Sequence, residues 1–385
     1  MKQRTLLNFS RLFVGILFIF SGLIKANDPL GFGYKLQEYF EVFHIPFLNG
    51  IATGIAIFLC VLEVLLGVLL LLGFWGKKVA AGLLGIIVFF TFLTFVSAVF
   101  KVVTSCGCFG DAIPLTPWQS FSKDLVLLAF IIYLFRYRAY IEPLFSSLKM
   151  QQRTAVFVTI ATLIFPLYTY NYLPVMDFLP YKIGADLPGE MRIPPGAMPD
   201  QYEIIYHLYN KKTKEKKDMS DKDYLKAKEI WEDPNWEVGK DTESRLIKKG
   251  YEPKIKDLVI KDASGTDYTK ELMENPYYNL VIVAYNLEDT NQDAISKLNA
   301  LALNATEQFN IRTVLLTSNS AQDAEAFSKK MKLFTEIFYA DAIPLKSMVR
   351  ANPGVLLLKN GVVIGKWHYH AVPSFDSLSE KYFSK

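Results

Sequence analysis

Five apolar runs dominate the first half of this 385-residue chain, at residues 6–25, 51–75, 79–103, 125–140 and 155–175. A bilayer core takes about 20 apolar residues per helix, and no backbone polar group within it can go without a partner. Runs of this length therefore point to membrane-spanning helices. The fourth is the shortest, and Arg136 and Arg138 at its end can extend toward the interface. Beyond about residue 180 the pattern becomes that of a water-soluble domain. The overall 51% apolar and 21% charged residues thus average two unlike halves. Lys2 and Arg4 ahead of the first run look like the start of a signal peptide. That run is long, has no small-x-small cleavage pattern and precedes four more, so it reads as a retained first helix.

Basic residues set the expected orientation. Lys2, Arg4 and Arg11 mark the start of the first span. Lys77 and Lys78 link the second and third, and Arg136, Arg138, Lys149 and Arg153 link the fourth and fifth. The alternate links offset Lys35 with Asp28, Glu38 and Glu41, and Lys101 and Lys123 with Asp111 and Asp124. This predicts a multi-pass protein of a bacterial inner membrane, in contact with membrane lipid, with a cytoplasmic N-terminus and an extracytoplasmic C-terminal domain. The basic stretch 211–217 then lies outside the cytoplasm and reads as a solvated hairpin tip. With a net charge of only +4, nucleic acid is not an expected partner.

Chemistry concentrates in the loop between the third and fourth runs, Ser105-Cys106-Gly107-Cys108-Phe109-Gly110-Asp111, which holds two of the three cysteines. On the oxidising side of a membrane such a pair tends toward a disulfide. One intervening residue makes a small, strained ring, and Gly107 supplies the backbone freedom to close it. Strained disulfides are the exchangeable ones, so Cys106 and Cys108 are the candidate catalytic pair; otherwise they pin the loop. Zinc would need two further ligands, and the loop has no other Cys or His, so no metal is expected.

Ionisable groups inside the spans are costly unless paired. Glu63 and Arg11 each lie about 20 Å from the outer ends of their helices at 1.5 Å per residue. They are expected to meet, as a structural ion pair or as a site for a proton or a quinone headgroup. Cys60 lies one turn from Glu63 and reads as a small packing residue.

The residues Arg11-Leu-Phe-Val-Gly15, Phe20-Ser21-Gly22-Leu-Ile-Lys25 and Asp28-Pro29 resemble the opening of DoxX-like proteins. Glu63-Val-Leu-Leu-Gly67 and Leu72-Gly73 are similar to their second span. Cys106-Gly107-Cys108-Phe109-Gly110-Asp111, then Trp118 and Lys123-Asp124-Leu125, resemble the MauE (methylamine utilisation) branch of redox-associated four-helix membrane proteins. The likeness covers about residues 5–142. It implies a four-helix bundle distantly similar to vitamin K epoxide reductase and linked to disulfide formation in exported proteins. It also brings in a quinone as candidate cofactor. Cys-x-Cys in place of that reductase's Cys-x-x-Cys argues against a quinone-reducing mechanism.

In the soluble half, residues 183–199 read as a Pro/Gly-rich linker and 202–209 as a strand. Residues 257–261 and 265–268 read as a hairpin, 278–285 as a buried strand, 294–309 as a helix, 313–317 as a strand and 321–331 as a helix. Asn360-Gly361 turns 353–358 into 362–368. The order looks like a thioredoxin-like fold, with Pro353 where that fold carries a cis-proline beside its binding groove. The cysteines that fold carries after the strand at 278–285 are absent: Asn286-Leu-Glu-Asp stands there. Exchange needs a thiolate, so this domain cannot be an oxidoreductase itself. His368 and His370 fall on one side of the last strand and read as ordinary edge residues.

The expected organisation is a four-helix membrane domain at 1–145, a fifth transmembrane helix at 146–180, a linker and small β-containing segment at 181–255, and a thioredoxin-like domain at 256–385. The function that follows is thiol–disulfide exchange or disulfide formation through Cys106/Cys108, with an exported thiol protein or a periplasmic oxidoreductase as partner. A membrane scaffold with a partner-binding module is the competing reading.

Overall fold

The computed structural model describes residues 2–101, 103 and 109–383. Its first part is helical: α1 (Lys2–Asn27), α2 (Pro29–Val42), α3 (Ala52–Leu72), α4 (Gly76–Phe100), α5 (Pro117–Arg136) and α6 (Leu148–Tyr172). All but α2 are long and apolar enough to cross a membrane. Helix α5 starts well before the apolar run that marks it. Thr116 and Gln119 form a reciprocal cap with Pro117 at the first helical position, a strong start signal. Helices α1 and α3 pack closely because glycines face each other. A Cβ on Gly67 would lie 2.8 Å from the Gly15 carbonyl oxygen, and one on Gly22 would lie 2.6 Å from Val64.

The short helix α2 is absent from the sequence-based expectation, which treats 27–49 as a plain link. Asp28 accepts from the Gly31 amide at 2.8 Å and Pro29 opens the helix, so its start is well specified. It buries Phe32, Leu36 and Tyr39 against α3 and α4, and the Tyr39 hydroxyl meets Ser97 at 2.7 Å.

The C-terminal part is rich in sheet. Strands β1 (Gln201–Asn210), β2 (Lys216–Ser220) and β3 (Trp236–Lys248) form an antiparallel sheet in the order β2-β1-β3. The basic stretch around 211–217 is the turn between β1 and β2. A second sheet contains β4 (Tyr278–Val283), β5 (Arg312–Thr317), β6 (Glu336–Tyr339), β7 (Gly354–Lys359) and β8 (Val362–His368), in the order β6-β5-β4-β7-β8. Strands β4, β5 and β6 are parallel, with Val281 opposite Val314 and Leu315 opposite Ile337. Strand β7 runs antiparallel to both β4 and β8. Helices α7 (Gln292–Phe309), α8 (Ala321–Met331) and α9 (Ala342–Met348) complete it.

The central strands are apolar on both faces, as a doubly covered sheet requires. Leu280, Ile282, Leu315, Val355 and Leu357 pack against α7. Val281, Val283, Leu316, Leu356 and Leu358 pack against Leu345, Met348, Ile260 and Tyr181. Residues 257–268 form the expected hairpin only as a single antiparallel bridge, Lys261 to Asp267, with the Tyr268 amide donating to the Ile260 carbonyl at 2.8 Å. Lys261 also bridges to Tyr339, so this stretch is tied to β6. Strand β8 ends at His368, and His370 lies in the turn beyond it, its Nδ1 3.0 Å from the Asn171 carbonyl.

The chain between α6 and the sheets is fastened at several points. Asn27 and the Met176 backbone exchange two hydrogen bonds, of 2.7 and 3.0 Å. Lys366 on β8 bonds Asp177 at 2.6 Å, and Asp186 bridges to Val362.

Candidate functional site

The expected ion pair between Glu63 and Arg11 does not form. Glu63 is bonded to Lys25, both almost completely buried, and the Lys25 ammonium also sits over the Phe90 ring, 4.5 Å from its centre. Antiparallel packing explains the difference. Gly22 faces Glu63, while Arg11 reaches the end of α3, where its guanidinium donates to the Leu70 and Leu71 carbonyls at 3.4 and 3.2 Å. Eleven residues of helix, about 16 Å, separate the two levels. Cys60 is buried beside this pair, as a packing residue should be.

A small cavity adjoins Glu63 and Lys25, lined also by Phe90, Phe109, Lys123 and Asp124. At about 20 Å³ it has room for a single water molecule. A quinone headgroup does not fit in that space. Asp124 is buried and held by Lys123 at 2.8 Å and by the Thr94 hydroxyl at 3.0 Å.

Cys106 and Cys108 lie outside the described residues; the residues that follow them do not. Phe109 packs on Phe20 with ring centres 5.6 Å apart, under the Lys123 ammonium at 5.0 Å. Gly110 adjoins Ile24. Asp111 is bonded by Arg350, which comes from the far end of the chain. The loop's C-terminal flank is therefore fixed to α1, α5 and the sheet-rich region at once.

Arg350 is the hub of this junction. Its Nε donates to Asp28 at 2.8 Å, one Nη donates to Asp111 at 3.3 Å and the other to the Lys346 carbonyl. The side chain is only 7% exposed. Burial disfavours its charge, but Asp28 and Asp111 outweigh that and hold it protonated. Burial raises the Asp111 carboxyl, and Arg350 opposes the rise.

Next to it, Tyr34 of α2 meets the Tyr285 hydroxyl at 3.0 Å, and the Lys346 ammonium lies over the Tyr34 ring at 4.5 Å. Burial pushes both phenols up and Lys346 down. A cavity of about 370 Å³ opens here, lined by Ile24, Asp28, Phe32, Asp111, Met176 and Lys346. A second, of about 450 Å³, is lined by Tyr34, Tyr285, Asn286, Asp289, Asn319 and Lys346. Pro353 is preceded by a cis peptide bond, and the residue before it reaches this lining. Asn352 donates to the Asn286 carbonyl at 2.7 Å.

Sequence reasoning missed Lys25, Asp28, Tyr34, Asp111 and Arg350 as members of one site. The available signal was Lys25 at the end of an apolar run with Asp28-Pro29 just after it.

Residues 3–136 match the family model described as Methylamine utilisation protein MauE. A curated relative, Protein TlpB of Flavobacterium psychrophilum, is 30% identical over 128 residues, which are 32% of this chain and 35% of that protein. The chain thus spans about a third of the length of the curated relative it matches. The family match and the five long apolar helices support a multi-pass membrane protein.

Proposed function

We propose that this chain is a redox-associated protein of a bacterial inner membrane that exchanges thiols and disulfides through Cys106 and Cys108. The observation that carries the reading is the Gly-spaced cysteine pair, joined to a flank (Phe109, Gly110, Asp111) held between the helical and sheet-rich regions. The MauE match over residues 3–136 supports it.

In the exchange, a thiolate of the partner attacks the Cys106–Cys108 disulfide and forms a mixed disulfide. The partner's second thiol then displaces it. The partner gains a disulfide, Cys106 and Cys108 become thiols, and a second disulfide-bearing protein takes the two electrons back. An exported thiol protein or a periplasmic oxidoreductase fits either role. Residues 1–145 would be the DoxX/MauE-like bundle, 146–180 the tethering helix, 181–255 a β-containing connection and 256–385 a thioredoxin-like domain without catalytic cysteines. What supports the last assignment is the parallel β4-β5 pair joined by α7, the antiparallel β7-β8 hairpin and Pro353 just before β7. A cytoplasmic N-terminus and an extracytoplasmic C-terminal domain follow from the basic residues of the links.

The scaffold reading rests on the lack of any cysteine after Cys108. The two separate in a thiol-trapping experiment on intact membranes, with a bulky maleimide added before and after mild reductant. Exchange predicts a readily reduced disulfide or a mixed population, and altered disulfide status of exported proteins in a Cys106→Ser/Cys108→Ser variant. A pair that stays reduced, or a disulfide that resists reductant, with unchanged exported proteins, establishes the scaffold instead.

A further inference from the structure

Arg350 stands out because its bonds reach two separate parts of the helical region from the sheet-rich region. All three nitrogens of its guanidinium are engaged, and two carboxylates from separate parts of the helical region converge on it. One, Asp28, caps α2, whose Tyr34 touches Tyr285 of the sheet-rich region. The other, Asp111, ends the described flank of the cysteine loop, three residues after Cys108. That is about 11 Å of fully extended chain. Arg350 itself follows α9 and precedes Pro353 by three residues. One side chain therefore links the groove edge of the sheet-rich region to the flank of the loop.

Resting on the exchange reading, we propose that Arg350 is a positioning residue: from the sheet-rich region it clamps the flank of the cysteine loop and thereby sets the reactivity of Cys106 and Cys108. Asp111 is the sensitive end of the clamp. It is half-exposed and held by the longer contact, 3.3 Å against 2.8 Å for Asp28. Phe109 and Gly110 anchor the same flank against Phe20, Lys123 and Ile24. Release at Asp111 then leaves the contacts of Phe109 and Gly110 in place while removing the hold of the sheet-rich region on this flank. The fork geometry matters as well as the charge: Lys offers a single point charge, which cannot span Asp28 and Asp111 as the guanidinium does.

The test uses the full-length protein in lipid nanodiscs. Two quantities are measured: the maleimide labelling rate of the fully reduced pair, and the pair's equilibrium with glutathione. Arg350→Gln and Asp111→Asn are each expected to raise the labelling rate about tenfold, the worth of one hydrogen bond between charged groups. They should move the glutathione equilibrium in the same sense as each other, and the double variant should add little to either single one. Arg350→Lys should recover only part of the wild-type rate. Arg312→Gln, a change on the far side of the sheet, should alter neither quantity.

If Arg350→Gln fails to fold, Asp111→Asn carries the test, since it leaves the Arg350–Asp28 bond in place. Additive effects, or wild-type rates in folded Asp111→Asn, overturn the clamp while the exchange reading stands. A wild-type pair that does not equilibrate with glutathione at all overturns both.

Discussion

The helical and sheet-rich regions handle charge in opposite ways. In the helical region Lys25 and Glu63 are buried together, with 3% and 2% of their side chains exposed, and the ammonium lies against aromatic rings. In the sheet-rich region most pairs lie outside. Lys329 and Glu325 are 76% and 66% exposed, and Arg312 at the start of β5 reaches Glu271 and, on β6, Glu336. The apolar interior of the sheet owes nothing to them. Between the two regimes sits Arg350, buried like the first kind but bonded across regions. Charge in this molecule is paired inside the helical part and joins the two parts at their boundary, while the central sheet is filled by apolar side chains.

The comparison can be broken most directly at Lys25. Lys25→Met leaves Glu63 buried without its cation and should cost about 3–5 kcal/mol, read as a loss of thermal stability in detergent. Lys25→Met with Glu63→Leu should restore most of it, because an apolar pair removes the uncompensated charge. No recovery in the double variant would mean that the pair does more than offset its own burial.

A smaller effect is expected at His368, which burial, with a further contribution from His370, holds down at a pKa of about 4. Its Nδ1 accepts the His370 amide at 3.2 Å, which requires that nitrogen to be unprotonated. Unfolded, the ring titrates near its usual value of about 6.5. The stability of the sheet-rich part should therefore be flat above about pH 6.5 and fall as pH drops from there toward 4, since only the unfolded state gains the proton. His368→Gln should flatten that slope in pH-dependent melting; an unchanged slope would place the titrating group elsewhere. The smallest change is expected at the surface. Arg312→Gln removes two partly solvated contacts and should cost about 1 kcal/mol or less in the same melting experiment.

Much of the architecture was legible because its signals are local. Apolar length announced the spans. Short continuous apolar runs and the Asn360-Gly361 turn announced β4, β5, β7 and β8. The short edge strand β6 and helix α9 went unread because neither carries a periodic pattern long enough to stand out. The site was less legible for a different reason. Arg350 lies 322 residues from Asp28 and 239 from Asp111, and nothing in a lone arginine names such partners. The pairing of Glu63 depended on helix register, which composition does not encode. Arg11 looked like a partner by depth, but the glycine contacts of α1 and α3 set a register about three turns away.

The fastening of residues 173–186 has a consequence for encounter. A flexible linker would give whatever the sheet-rich region holds a local concentration in the millimolar range near the membrane surface, spread over every orientation the linker allows. Here Asn27 grips Met176, Lys366 grips Asp177, and Asp186 joins the edge strand β8. The region is mounted at a set height and heading over the ends of α1 and α2. Under the proposed exchange, a molecule resting on it would meet the helical part from one direction, and the encounter would gain the advantage of an intramolecular reaction, in which orientation has been settled before the groups touch.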